Sequence, residues 1–122
     1  MANTVASRKA KGRSFQQEIL TLVRGSMPFS YEDLVKSATM GESGVDIQLV
    51  GKARELFPFA VECKNQERIN IWESWEQCED NAKKEKLMPA LFFKRNRKLP
   101  LVTLRASDFF MLLNYIDKEA LL

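Results

Sequence analysis

Glu62 and Lys64 stand two residues apart in the stretch FPFAVECKN (57–65). In an extended chain, side chains alternate faces, so Phe59, Val61 and Cys63 share one face while Ala60, Glu62 and Lys64 share the other. The two charges then sit side by side on a strand apolar enough to be buried. A second strand reads at 45–50, where Val45, Ile47 and Leu49 alternate with Asp46 and Gln48. An antiparallel hairpin whose paired residue numbers sum to 108 satisfies both patterns. Ile47 then faces Val61 and Leu49 faces Phe59 on the core side, and Asp46 lies opposite Glu62 with Lys64 just past it.

Two carboxylates at cross-strand distance repel, and a cation between them relieves the repulsion. Oxygen ligands without histidine or paired thiolates favour a hard ion, Mg2+ with Mn2+ able to substitute, over zinc. Such an ion can hold a phosphate oxygen, acidify a bound water and stabilise a leaving oxygen, while Lys64 orients the attacking group or steadies charge on phosphorus. The chemistry implied is cation-assisted hydrolysis of a phosphodiester. A bare Glu-x-Lys on a strand is ordinarily a solvated ion pair worth ~0–1 kcal/mol, so the surrounding elements carry the weight.

Those elements follow from periodicity. Ser14-x-x-Gln17 has the form of a capping box, with Phe15, Ile19, Leu22 and Val23 at helical spacing and Gly25 as a stop. At 100° per residue Glu18 falls between Phe15 and Leu22, half buried on the edge of the stripe. A short strand is expected at 34–39 after a turn at 30–33, and a glycine-rich turn at 40–44. A connection at 51–56 leads to the strand at 58–64. A helix at 71–84 follows, with Ile71, Trp72, Trp75, Cys78 and Ala82 inward, then strands at 88–93 and 99–104 around a turn at 94–98. Ser107 caps a final helix ending near Asp117.

The order and these residues resemble the PD-(D/E)XK nuclease superfamily over roughly 14–93: Glu18 on a leading helix, Ser43-Gly44-Val45-Asp46 entering a strand, then Val61-Glu62-Cys63-Lys64 and a helix. Val45 stands where the motif name has proline. The resemblance implies an α/β fold, a single-domain restriction-endonuclease-like αβββαβ core with a mixed central sheet flanked by helices. It also implies roles: Asp46, Glu62 and the main-chain carbonyl of Cys63 as metal ligands, Lys64 as catalytic lysine, and Glu18 as helix-one acid, binding directly or through water. Small size and the Gly-Glu-Ser-Gly-Val-Asp approach are most similar to Holliday-junction resolvases of archaeal and phage type, which act as homodimers on branched DNA. Ser43 and Gln77 are supporting candidates by the same resemblance. Nicking or restriction-like cleavage by the same core, and a catalytically silent nucleic-acid-binding module, are the alternatives.

Composition bounds the rest. The 122 residues suffice for about one domain, with residues 1–13 expected as a flexible basic arm and 14–122 as the nuclease domain. The absence of histidine removes Ser-His-Asp hydrolysis, HNH-type cleavage and HExxH chemistry. Cys63 and Cys78 have no zinc spacing and read as buried thiols. Neither a signal-peptide core nor an apolar run of membrane-spanning length is visible, so the expected location is cytoplasmic.

The net charge of +3 is unevenly laid out. Arg8, Lys9, Lys11 and Arg13 precede the first helix without an acid, and Lys94, Arg95, Arg97 and Lys98 crowd one turn. Residues 14–93 hold 13 acids against 9 bases. Basic ends around an acidic middle fit phosphate contacts flanking a cation-holding site. Trp72 and Trp75 are expected chiefly in the core, and Phe109, Phe110, Leu112, Leu113 and Ile116 in one helix face able to serve packing or a dimer.

Overall fold

The computed structural model describes residues 4–39 and 44–121. Helix α1 spans Val5–Gly25, a 3-10 turn spans Phe29–Leu34, and strands β1 (Val35–Ser37) and β2 (Ile47–Leu49) follow. Helix α2 (Gly51–Leu56) leads into β3 (Phe59–Asn65), α3 (Ile71–Glu85), β4 (Met88–Lys94), β5 (Leu101–Thr103) and α4 (Ala106–Leu113). Strands β3, β4 and β5 form a mixed sheet in that order, β3 parallel to β4 and β5 antiparallel to β4. Strands β1 and β2 form a separate antiparallel pair with Val35 opposite Leu49 and Ser37 opposite Ile47. This is the α/β core that the element order implied, a mixed sheet flanked by helices.

Parallel pairing of β3 and β4 needs a crossover, and α3 supplies it. Its ends are well marked: the Asn70 side chain accepts from the Glu73 N–H, and Lys86 closes the helix in the left-handed conformation at φ 56°. Pro89 is tolerated in β4 because it precedes Leu91, where the β5 ladder begins, so that stretch of β4 has one neighbour. The core gathers Phe15, Ile19, Leu20 and Val23 of α1 against Val35, Ile47, Leu49, Phe59, Val61 and Ala90. Thus α1 covers the Phe59/Val61 face of β3. Helix α3 takes the other face, where the Cys78 thiol meets the Ala60 carbonyl at 3.6 Å.

Four expectations about elements are corrected. Helix α1 starts at Val5, capped by the Thr4 hydroxyl accepting from Ser7 N–H, so the basic residues 8–13 lie on a helix and Ser14 is not its cap. The segment VASRKAKGR is rich in good helix formers, which explains the extension. The connection at 51–56 takes the form of α2, and the hairpin register between β2 and β3 is not formed. A single main-chain bond, Asp46 N–H to the Val61 carbonyl at 2.9 Å, joins them instead. Trp72 is 80% exposed, because the buried stripe of α3 runs through Ser74, Cys78, Asn81 and Ala82 and leaves position 72 far round the helix; Trp75 is half-buried. Helix α4 begins after Arg105 with no side-chain cap and ends at Leu113.

Candidate active site

Asp46 enters the site from the residue before β2. Gly44, at φ 105°, takes a conformation that other residues rarely adopt and so turns the chain into this approach. Once Asp46 N–H is bonded to Val61, its carboxylate reaches along the edge of β3, and Oδ2 accepts the Cys63 N–H at 2.7 Å. The short distance is that of a charge-assisted bond. Glu62, on the face of β3 turned to α3, is 3% exposed, and its Oε1 accepts from Asn81 Nδ2 at 2.6 Å. The same Asn81 amide reaches the Gly44 carbonyl at 3.3 Å. One α3 side chain therefore ties together the two segments that carry the acids.

Electrostatics show that the acids meet. Burial, and then the Asp46 carboxylate beside it, push Glu62 up to about 7, while the Asn81 amide and the Lys64 ammonium pull the other way. Asp46 is also raised by burial, against the lowering effects of the Cys63 N–H and Lys64. Lys64 acts on both carboxyls, so Asp46, Glu62 and Lys64 form one cluster despite the missing ladder. The Cys63 thiol is driven well above its ordinary value and Cys78 up to about 12, chiefly by burial. Both are uncharged, unreactive packing groups at neutral pH, and neither is in a disulfide.

The other candidates are placed differently. Glu18 is exposed, and among the described residues no group of three or more His, Cys, Asp or Glu side chains gathers. The cause is a rotation of α1: its buried stripe is Phe15, Gln16, Ile19, Leu20 and Val23, which turns Leu22 and Glu18 to solvent. Gln16 takes the inward place. Its amide nitrogen donates to Ser37 Oγ at 2.6 Å, the Ala38 carbonyl at 2.9 Å and the Asp46 carbonyl at 3.1 Å. Gln77 is exposed, one turn before the buried amide of Asn81. Ser43 lies outside the described residues. Neither Gln16 nor Asn81 stands out by residue type, since a glutamine and an asparagine on helices read as surface residues until their partners are known.

The basic segments converge on the C-terminal end of β3. The Gln66 N–H donates to the Lys94 carbonyl at 3.1 Å, and the Asn96 N–H to Glu67 Oε1 at 2.9 Å, pinning the 94–98 turn to the loop after Lys64. The Lys94 ammonium stands 5.9 Å over the Phe15 ring of α1. Arg95, Arg97 and Lys98 are exposed on this turn, as are Arg8, Lys9 and Arg13 on α1, with Lys11 half-buried.

Residues 7–120 match the model of a family described as "Phage putative PDDEXK endonuclease". The chain belongs to this family. No curated protein and no solved structure matches it significantly. Membership agrees with the geometry: an aspartate bonded to the edge of β3, a buried Glu62 and a half-buried Lys64 on that strand, and a helix behind it. No helix among the described residues is long and apolar enough to cross a membrane.

The donor chemistry of the site fits a hard divalent cation. Burial raises the proton affinity of both carboxyls, and Asp46 raises that of Glu62 further; a cation would satisfy the same demand without protonation. Asp46, Glu62 and the Cys63 carbonyl are the groups that would hold it.

Proposed function

We propose that this family member is a Mg2+-dependent DNA endonuclease, with Mn2+ able to substitute, that resolves four-way junctions as a homodimer in the cytoplasm of its host cell. The observation that supports it most is the convergence of Asp46, buried Glu62 and Lys64 on one edge of β3. When bound, the cation supplies neutralising charge and polarises the phosphate and the attacking water. The chain's own groups do the rest. The Cys63 N–H and Asn81 amide hold the two carboxylates in place, and Lys64 offers its ammonium to the negative charge that builds on phosphorus. The basic residues of α1 and the 94–98 turn hold flanking phosphates without reading bases.

The test compares a synthetic four-way junction with linear duplex, nicked, flap and single-stranded DNA in Mg2+ and in Mn2+. Paired, opposed cuts confined to the junction are expected, lost in Asp46→Ala and Glu62→Ala while binding is retained. Equal cutting of linear duplex removes the resolvase reading and leaves the nuclease. Binding without any cut in either ion favours a silent binding module.

A further inference from the structure

A cavity of about 610 Å3 opens at the C-terminal end of β3, lined by Arg8, Lys11 and Gly12 of α1, by Cys63, Lys64 and Asn65, and by Gln66, Glu67 and Arg68. Two features of it call for an anionic ligand. The first is charge: among the described residues Arg8, Lys11 and Arg68 form no ion pair, and the acid present, Glu67, turns an oxygen onto the Asn96 N–H. Cations gathered in a concave wall repel one another unless an anion joins them. The second is shape. Arg8 and Gly12 continue the helical stripe of Phe15 and Ile19, at i, i+4, i+7 and i+11, so this face of α1 buries apolar side chains over β3 and becomes arginine and glycine where the strand ends. A glycine inside a helix costs roughly 1 kcal/mol against alanine, and here it leaves the cavity wall without a side chain.

We propose that this cavity is a binding subsite for a backbone phosphate of the cut DNA strand, next to the scissile one, with Arg8, Lys11 and Arg68 as its cationic wall. The inference rests on the nuclease reading and adds to it Arg68 and Gly12, neither of which belongs to the acid cluster. The cavity and that cluster share a strand: the Cys63 main chain that fixes Asp46 is also part of the cavity lining. A phosphate held here sets the register of the strand relative to Glu62 and Lys64.

The experiment measures binding of an uncut four-way junction in EDTA across a salt series, with cleavage in Mg2+ measured separately, for the wild type, Arg8→Ala/Arg68→Ala and Gly12→Leu. The double variant is expected to bind at least tenfold more weakly and to show a shallower salt dependence, by about one to two in the log–log slope. Gly12→Leu is expected to melt at or above the wild-type temperature, since leucine is the better helix former, yet to bind more weakly because its side chain occupies the wall. Competition by inorganic phosphate and by a deoxynucleoside monophosphate separates a free-anion site from a strand site: a strand site yields to neither at millimolar concentration. Displacement by phosphate alone overturns the strand assignment. Unchanged affinity and slope in both variants, with wild-type cleavage intact, overturn the subsite and leave the nuclease standing. A wild type that neither binds nor cuts DNA overturns both.

Discussion

At the scale of single residues, the candidate site holds two carboxyls in a place that disfavours their charge. Glu62 is pushed up to about 7 by burial and by Asp46, from an ordinary value of 4.5. A folded-state value above the unfolded one means that the native state binds the proton more tightly. The stabilisation from this group is therefore fully present below about pH 4.5 and lost as pH rises through about 7. Metal-free protein is expected to melt lower at pH 8 than at pH 5.5, with a difference on the order of 2–3 kcal/mol from this site. Glu62→Gln is expected to flatten that dependence and to raise the melting temperature at pH 8 in EDTA. Calorimetry at the two pH values checks both statements; an unaltered pH dependence in the variant excludes Glu62 as its source. Mg2+ is expected to stabilise the wild type more at pH 8 than at pH 6, because it competes with the proton there, and to leave Glu62→Gln nearly unmoved.

At the scale of elements, the site exists because two helices each send one amide inward. Gln16 of α1 gathers the ends of β1 and β2 by bonding Ser37, Ala38 and the Asp46 carbonyl, and Asn81 of α3 bridges Glu62 to Gly44. Gln16→Leu keeps the size and helix preference but leaves those acceptors short of a donor in a buried setting. It is expected to cost roughly 1–3 kcal/mol of stability and to lower cleavage at least tenfold, with DNA binding close to wild type. Gln16→Glu is expected to behave no better, since an ionised carboxylate cannot donate to carbonyls. Denaturant melts and single-turnover cleavage check the pair; full activity in either variant removes Gln16 from a positioning role. By contrast Glu18→Ala, on the exposed side of α1, is expected to keep near-normal stability. Its cleavage rate decides whether the exposed acid contributes to catalysis.

At the scale of the whole molecule, apolar surface is concentrated at one end of the chain. Leu101 and Val102 on β5, and Phe109, Phe110, Met111 and Ile116 on or just after α4, are exposed. β5 pairs with β4 alone, so its other edge is open among the described residues. Exposed apolar side chains and an open strand edge are a common setting for association, and a second copy of the chain is the partner that the homodimer proposal calls for. Phe110→Glu is expected to shift the protein from dimer to monomer in sedimentation velocity without changing its circular dichroism. On a four-way junction it is expected to turn paired cuts into single nicks. A wild type that sediments as a monomer at micromolar concentration, and still makes paired cuts, sinks the dimer.

Period-two alternation and charge placement depend only on local chain geometry. For that reason the apolar and charged faces of 57–65, the acid before β2, the crossover helix and the β4–β5 turn were legible without coordinates. The α/β class followed from their order, and the candidate cluster of Asp46, Glu62 and Lys64 from residue type and position. What could not be read was decided by packing. Rotation of α1 about its axis put Gln16 inside and Glu18 outside, because ridge contacts with β3 and the donor needs of 37, 38 and 46 outweighed the capping pattern at Ser14. Likewise, β2 paired with β1 instead of forming the expected hairpin, yet Asp46 still reached β3 through one main-chain bond and one carboxylate. The amides Gln16 and Asn81 and the cavity at the end of β3 belong to the tertiary structure alone, since a polar side chain has a partner only once a distant segment is brought to it.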